Sequence, residues 1–143
     1  LVWQKFEVPF QRRALAVSTL GQKIFVIGGM NADHDIERTV SIYDPKSKQW
    51  SAGPDLPGEG MNGFGVSAWS LNGQLLVSGT DGRIHRLGAD GLGWQTAGKL
   101  TKPRFFHQLV PGPQANHVLA VAGASMRQGH LATIETIALK PKQ

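Results

Sequence analysis

The stretch "NADHDIERT", residues 31 to 39, brings Asp33, His34, Asp35, Glu37 and Arg38 together within a few positions. General acid–base chemistry needs such groups, one to accept a proton and another to donate it. His34 and Glu37 are the weak catalytic candidates on this ground, with Asp33 and Arg38 beside them. The same composition equally suits a solvated loop whose charges face water. A metal would need converging ligands, and adjacent residues on one loop rarely point to one centre. The remaining histidines, His85, His107, His117 and His130, are scattered without a recognised zinc spacing. No metal site and no cofactor is expected. The absence of cysteine removes disulfides, thiolate metal sites and cysteine nucleophiles, and leaves the compartment open. "GMNGFG" (60 to 65) resembles a phosphate cradle only in its glycines, because it leads into a strand and not a helix N-terminus.

Arginine is the other residue type with chemistry to offer. Its planar fork grips carboxylates through two parallel hydrogen bonds. The chain carries 15 Lys and Arg against 10 Asp and Glu, a net charge of +5. These cations stand singly or in pairs, with no aromatic-basic stripe, so nucleic acid is not an expected partner. Runs such as "KIFVIGG" and "HVLAVAGA" fall far short of the roughly 18 apolar residues a membrane-spanning helix needs.

Positioning must come from a repeat. Trp3, Trp50 and Trp94 recur at separations of 47 and 44 residues. In phase with them run three alternating strands that end in small residues: "GQKIFVIGG" (21 to 29), "NGQLLVSGT" (72 to 80) and "ANHVLAVAGA" (115 to 124). Another alternating strand precedes each, in "LAVSTL", "GVSAWSL" and "HQLV". Period-2 alternation without any sustained helical spacing predicts an all-β chain with four strands per repeat, the size of a propeller blade. Trp69 aligns with Val17 on a first strand in this reading.

Gly28, Gly29, Tyr43, Asp44, Pro45 and Trp50 together resemble the kelch repeat. The second repeat departs from the pattern, with Gly79-Thr80 for the double glycine and Leu87 for the tyrosine. The third departs further, with Gly123-Ala124 and then Leu139-Lys140-Pro141. The resemblance implies an all-β fold of kelch-type propeller blades, each a four-stranded antiparallel sheet. Gly28 and Gly29 would serve close backbone packing, and Tyr43, Trp3, Trp50 and Trp94 would wedge blade against blade. The blades are expected over 9–53, 54–98 and 99–143, the last with three strands, while 1–8 forms an outer strand. Trp3 falls in register after Leu139 if the ends are joined. A homodimer closing a six-bladed ring is therefore expected, each N-terminal strand completing its partner's last blade. The competing expectation is a fragment of a longer propeller with no independent activity.

In such blades the loops after the second and fourth strands open on one face. That face would gather Arg12, Arg13, Asn31, His34, Arg38, Asn62, Asp81, Arg83, Arg104, His107 and Arg127 as ligand-binding residues. Arg13 and Arg104 stand where the kelch pattern carries an arginine, which by resemblance implies an acidic peptide or protein segment as ligand; the competing reading is that these arginines bridge blades to neighbouring carbonyls. The expected function is a protein-interaction module, more a binder than an enzyme. The alternative is a carbohydrate-active enzyme resembling the sugar mutarotases of the kelch type.

Overall fold

The computed structural model describes residues 2–142, and every regular element in them is a β-strand. The first sheet runs β1 (Ala16–Leu20), β2 (Lys23–Met30), β3 (Ile36–Asp44) and β4 (Gln49–Ala52), hydrogen-bonded in chain order. The second repeats this with β5 (Ser67–Leu71), β6 (Gln74–Ser78), β7 (Arg83–Leu87) and β8 (Trp94–Lys99). After β9 (Gln108–Pro111) and β10 (His117–Val121) comes a short ribbon, β11 (Ala124–Ser125) with β12 (Gly129–His130). Then β13 (Ile134–Ala138) joins β10 to make a third sheet in the order β9, β10, β13. All pairings are antiparallel, as in blades of a propeller.

Local chemistry sets the hairpins. The turn from β5 to β6 has Asn72 at φ 49 and Gly73 at φ 68, the pair of left-handed residues that a two-residue hairpin turn requires. Asp44 starts the turn between β3 and β4 by accepting the Lys46 N–H at 2.9 Å through its side chain, an Asx turn.

Alternation along the strands then decides what each sheet buries. Phe25, Ile27 and Val40 of the first sheet meet Leu75, Val77 and Leu87 of the second. Leu76 and Ile84 point the other way and meet Leu109, Val118, Ala120 and Ile137 of the third. The middle blade is covered on both faces, so Leu75, Leu76, Val77 and Ser78 are all buried in succession. Trp94 spans the first joint, packing on that core while its indole N–H donates to the Pro54 carbonyl at 2.8 Å. Tyr43 and Trp50 form the same cross-strand pair in the first blade, ring centroids 5.0 Å apart. Among the described residues no blade lies beyond them; Phe6 stacks on Tyr43 and Phe10 meets Trp50 edge-on. Residues 2–10 form no strand, Trp3 is 97% exposed, and Leu1 and Gln143 lie outside the described residues.

The blades are also tied through backbone at their inner ends, just before β1, β5 and β9. Ala14, Gly65 and Phe106 each adopt a left-handed conformation, at φ 54, 61 and 54. The Gly65 N–H donates to the Ala14 carbonyl at 2.8 Å, and the Phe106 N–H to the Gly65 carbonyl at 2.7 Å. This belt fixes the repeat register and corrects two sequence alignments. Ala122 (φ 56) and Gly123 (φ 100), rather than Gly123-Ala124, occupy the places of Gly28 (φ 64) and Gly29 (φ 112). A Cβ on Gly123 would sit 2.7 Å from the Phe105 carbonyl oxygen, just as one on Gly29 would sit 2.8 Å from that of Arg13. Trp69 pairs with Leu76 and so takes the place of Ser18, which pairs with Phe25, and not of Val17.

Gly63 lies at φ 139, and a Cβ there would run into the Glu37 carbonyl oxygen of the neighbouring blade, whereas Gly21 (φ 60) faces open space. In urea unfolding, Gly63→Ala is expected to cost about 3 kcal/mol or more, against about 1 kcal/mol for Gly21→Ala, where only the left-handed backbone is penalised.

Candidate binding face

The belt brings the loop before each first strand against the loop after each second strand. Arg13 and Met30 exchange backbone hydrogen bonds at 3.0 and 2.8 Å, and Phe105 and Ala124 do so at 2.9 and 2.8 Å. The two loop sets therefore share a face in the first and third blades.

The arginines divide into two kinds. Arg12 is nearly solvent-free, its side chain 2% exposed. It donates to the carbonyls of Gly28 and Thr39, both at 3.0 Å, and to the hydroxyls of Thr39 and Ser41, both at 2.8 Å. Its guanidinium also lies 4.2 Å from the centre of the Phe10 ring and 4.0 Å from the Glu37 carboxylate. Burial lowers its pKa, and Glu37 opposes the shift. Arg104 holds the equivalent place in the third blade, fully buried. It donates to Ala122 O at 3.0 Å, Thr133 O at 3.2 Å and Lys102 O at 3.2 Å, and pairs with the Glu135 carboxylate. Arg12, and not Arg13, is thus the counterpart of Arg104. Both staple a second strand to a third through their guanidinium donors, although the buried Arg12 Nε has no hydrogen-bond partner. Arg38 likewise donates to Leu56 O at 3.1 Å and to Gly58 O.

Burial alone would raise the Glu135 carboxyl, but hydrogen bonds from Thr101, Arg104 and Lys102 outweigh it and hold the pKa below the usual value. His107 is also buried, its Nε2 2.6 Å from the Ser78 hydroxyl. Burial, reinforced by Arg104 and opposed by Glu135, lowers its pKa to about 4. Asn62 is buried and donates to Pro57 O. Asp81 holds the buried His85 imidazole at 2.7 Å and accepts the Arg83 N–H at 2.9 Å.

The "NADHDIERT" loop closes on itself. The Asn31 side-chain oxygen accepts the N–H groups of Asp33 and Asp35 at 3.0 and 2.9 Å. His34 is exposed at φ 70. Glu37 accepts the Thr39 hydroxyl at 2.8 Å and lies beside Arg12. Asn31 and Glu37 are thus engaged in capping and cross-strand support, while Asp33, His34 and Asp35 are exposed. Among the described residues, no three His, Asp or Glu side chains gather as a metal would require. Arg13, Arg83 and Arg127 remain: all three are exposed, and none joins an ion pair among the described residues.

Strand periodicity could not separate the buried Arg12 and Arg104 from the exposed Arg13 and Arg127, because these four lie in loops, while Arg38 and Arg83 stand at or near the starts of β3 and β7. The Thr and Ser at alternate β3 positions, Thr39 and Ser41, were the available signal for Arg12. Nothing in the strand pattern marks a concavity of about 330 Å³ between the second and third blades, lined by Thr80, Pro103, Phe105, Ser125, Met126 and Arg127.

Removing one member of a buried ion pair leaves the other uncompensated. Arg104→Ala is expected to lose about 3 to 5 kcal/mol in chemical denaturation, while Arg127→Ala stays within about 0.5 kcal/mol of the parent. The His107 pKa lies below that of an unfolded histidine, so the unfolded chain binds the extra proton. Stability is therefore full above pH ~6.5 and falls towards pH ~4, by roughly 2 to 3 kcal/mol from this group. Denaturation midpoints across that range should show a shallower fall in His107→Gln.

The family model for the Kelch motif matches residues 11–57, the first blade and its flanks. Among solved structures, that of YjhT is similar, with a TM-score of 0.74 at 16% identity. The match covers 94% of this chain and 47% of that one, so the chain spans about half the length of that relative. No curated protein matches the chain. The Kelch motif thus lies in the first repeat, and all three larger sheets are blades of a β-propeller fold like that of this solved structure.

Proposed function

We propose that the chain is a binding module of the kelch type, holding an acidic segment of a partner protein on the face formed by the loops after its second and fourth strands. The observation that carries this reading is the division among the arginines. Arg12, Arg38 and Arg104 are engaged internally, while Arg13, Arg83 and Arg127 stand exposed without a carboxylate partner among the described residues. A guanidinium in that state retains its capacity for bidentate carboxylate recognition. The excess of cations over anions in the chain favours encounter with such a segment.

The ring that carries this face is closed, in the same proposal, by a second copy of the chain. Three observations support the dimer. Among the described residues, the belt leaves the Ala14 N–H and the Phe106 carbonyl at its two ends. Val17 of the first strand is 56% exposed on the first blade's unpartnered face. Among the described residues the third sheet has three strands, with β13 at its edge, and such an edge can take a further strand. Six blades fall within the usual four to eight.

A blocked peptide of five glutamates should bind at low ionic strength, weaken steeply with salt, and lose affinity at least about tenfold when Arg13, Arg83 and Arg127 are all changed to Ala. Binding unaffected by that triple change would overturn the proposed face. For the assembly, sedimentation equilibrium should return twice the 15.5 kDa chain mass, and a folded monomer would exclude the dimer.

A further inference from the structure

We infer that the concavity between the β11–β12 ribbon and the second blade is an anchor site for one apolar side chain of that acidic segment, taken beside a carboxylate held by Arg127. This rests on the binding-module reading and names the sequence chemistry the partner must have.

The floor of the concavity is apolar and firmly held. Phe105 lies in a triangle of rings with Phe64 and Phe106, at centroid distances of 6.1, 5.1 and 5.2 Å. Its backbone is clamped to Ala124 by the reciprocal hydrogen bonds that tie the ribbon to the loop. Pro103 forms a second wall against Gly82, where a Cβ would come within 2.7 Å of the proline ring. The third wall is adaptable: Met126 is 72% exposed, and an unbranched thioether conforms to varied apolar shapes.

The lip is polar. Ser125 accepts the Arg127 N–H at 3.2 Å and the Gln128 N–H at 3.4 Å, ordering the turn that carries the guanidinium. Thr80 lines it from the opposite blade. A cavity of about 330 Å³ is at the small end for binding pockets, a size suited to a single large side chain. A purely acidic strand would leave its apolar walls wet, and an uncharged apolar one would leave Arg127 unused. The site lies between two blades that are both present in this chain, so it does not depend on how the ring is completed.

The test uses the full chain, labelled with ¹⁵N, and two blocked peptides, Glu-Glu-Phe-Glu-Glu and Glu-Glu-Gly-Glu-Glu. The phenylalanine peptide is expected to bind about tenfold more tightly, with the largest amide shifts at Thr80 and at Ser125 to Gln128. Met126→Asp, at an exposed position, should abolish that preference without loss of fold, and Arg127→Ala should weaken the phenylalanine peptide. Arg13→Ala should leave the preference intact. Equal affinity for the two peptides, or shifts confined to the surroundings of Arg13 and Arg83, would overturn the anchor site while leaving the binding module standing. Binding of neither peptide would count against both.

Discussion

Everything in this molecule hangs on a short run of left-handed backbone. Ala14, Gly65 and Phe106 turn the chain at the inner end of each blade and hand a hydrogen bond from one blade to the next. A left-handed turn costs an ordinary residue about 1 to 2 kcal/mol, so Ala14 and Phe106 hold it only because their neighbours demand it. In return the first strands lie side by side near the axis, and the sheets splay outward with their apolar faces opposed. The glycines follow from the same closeness: Gly28, Gly29 and Gly123 stand where the backbone of another loop or blade leaves no room for a Cβ.

The buried arginines solve the problem that this turn creates. Where the second strand ends in left-handed residues, its carbonyls lose their ladder partners, and a buried carbonyl without a donor costs about 1 to 3 kcal/mol. Arg12 and Arg104 supply several donors each, to Gly28 and Thr39 in one blade and to Ala122 and Thr133 in the other. The middle blade has Gly63 at the corresponding place, and its carbonyl accepts the Gly29 N–H at 2.7 Å instead. The same position is thus filled by a long donor where strands must be stapled and by glycine where backbone approaches backbone.

The fold was legible because its signals are periodic. Alternation in "KIFVIGG" and "QLLVS" marked the second strands, and the tryptophan spacing marked the repeat. Trp94 behaves as such spacing implies, since it wedges the second blade against the first. The loops before the first strands do meet those after the second strands in the first and third blades. Which arginine does what was not legible, because Arg12 and Arg13 are neighbours in sequence, and one residue of register decides which is stapled inward. Asn31 and Asp81 looked like ligand-binding residues for a similar reason: a side chain that caps its own loop has the same chemistry as one that awaits a ligand. The offset between Gly123-Ala124 and Ala122-Gly123 arose because alanine can adopt the left-handed conformation that a sequence reader assigns to glycine.

Three quite different segments follow the second strands: the capped loop around Asn31, the tight turn through Gly82, and the ribbon of β11 and β12. Each is closed by a side-chain oxygen of its own, from Asn31, Asp81 and Ser125, and the first and last are fastened to the body by a reciprocal pair of backbone bonds. Lengthening a loop whose ends are already fixed adds little closure entropy. Such segments are exchangeable inserts: one of them can change in length or composition while the folding unit beneath keeps its own hydrogen bonds and core.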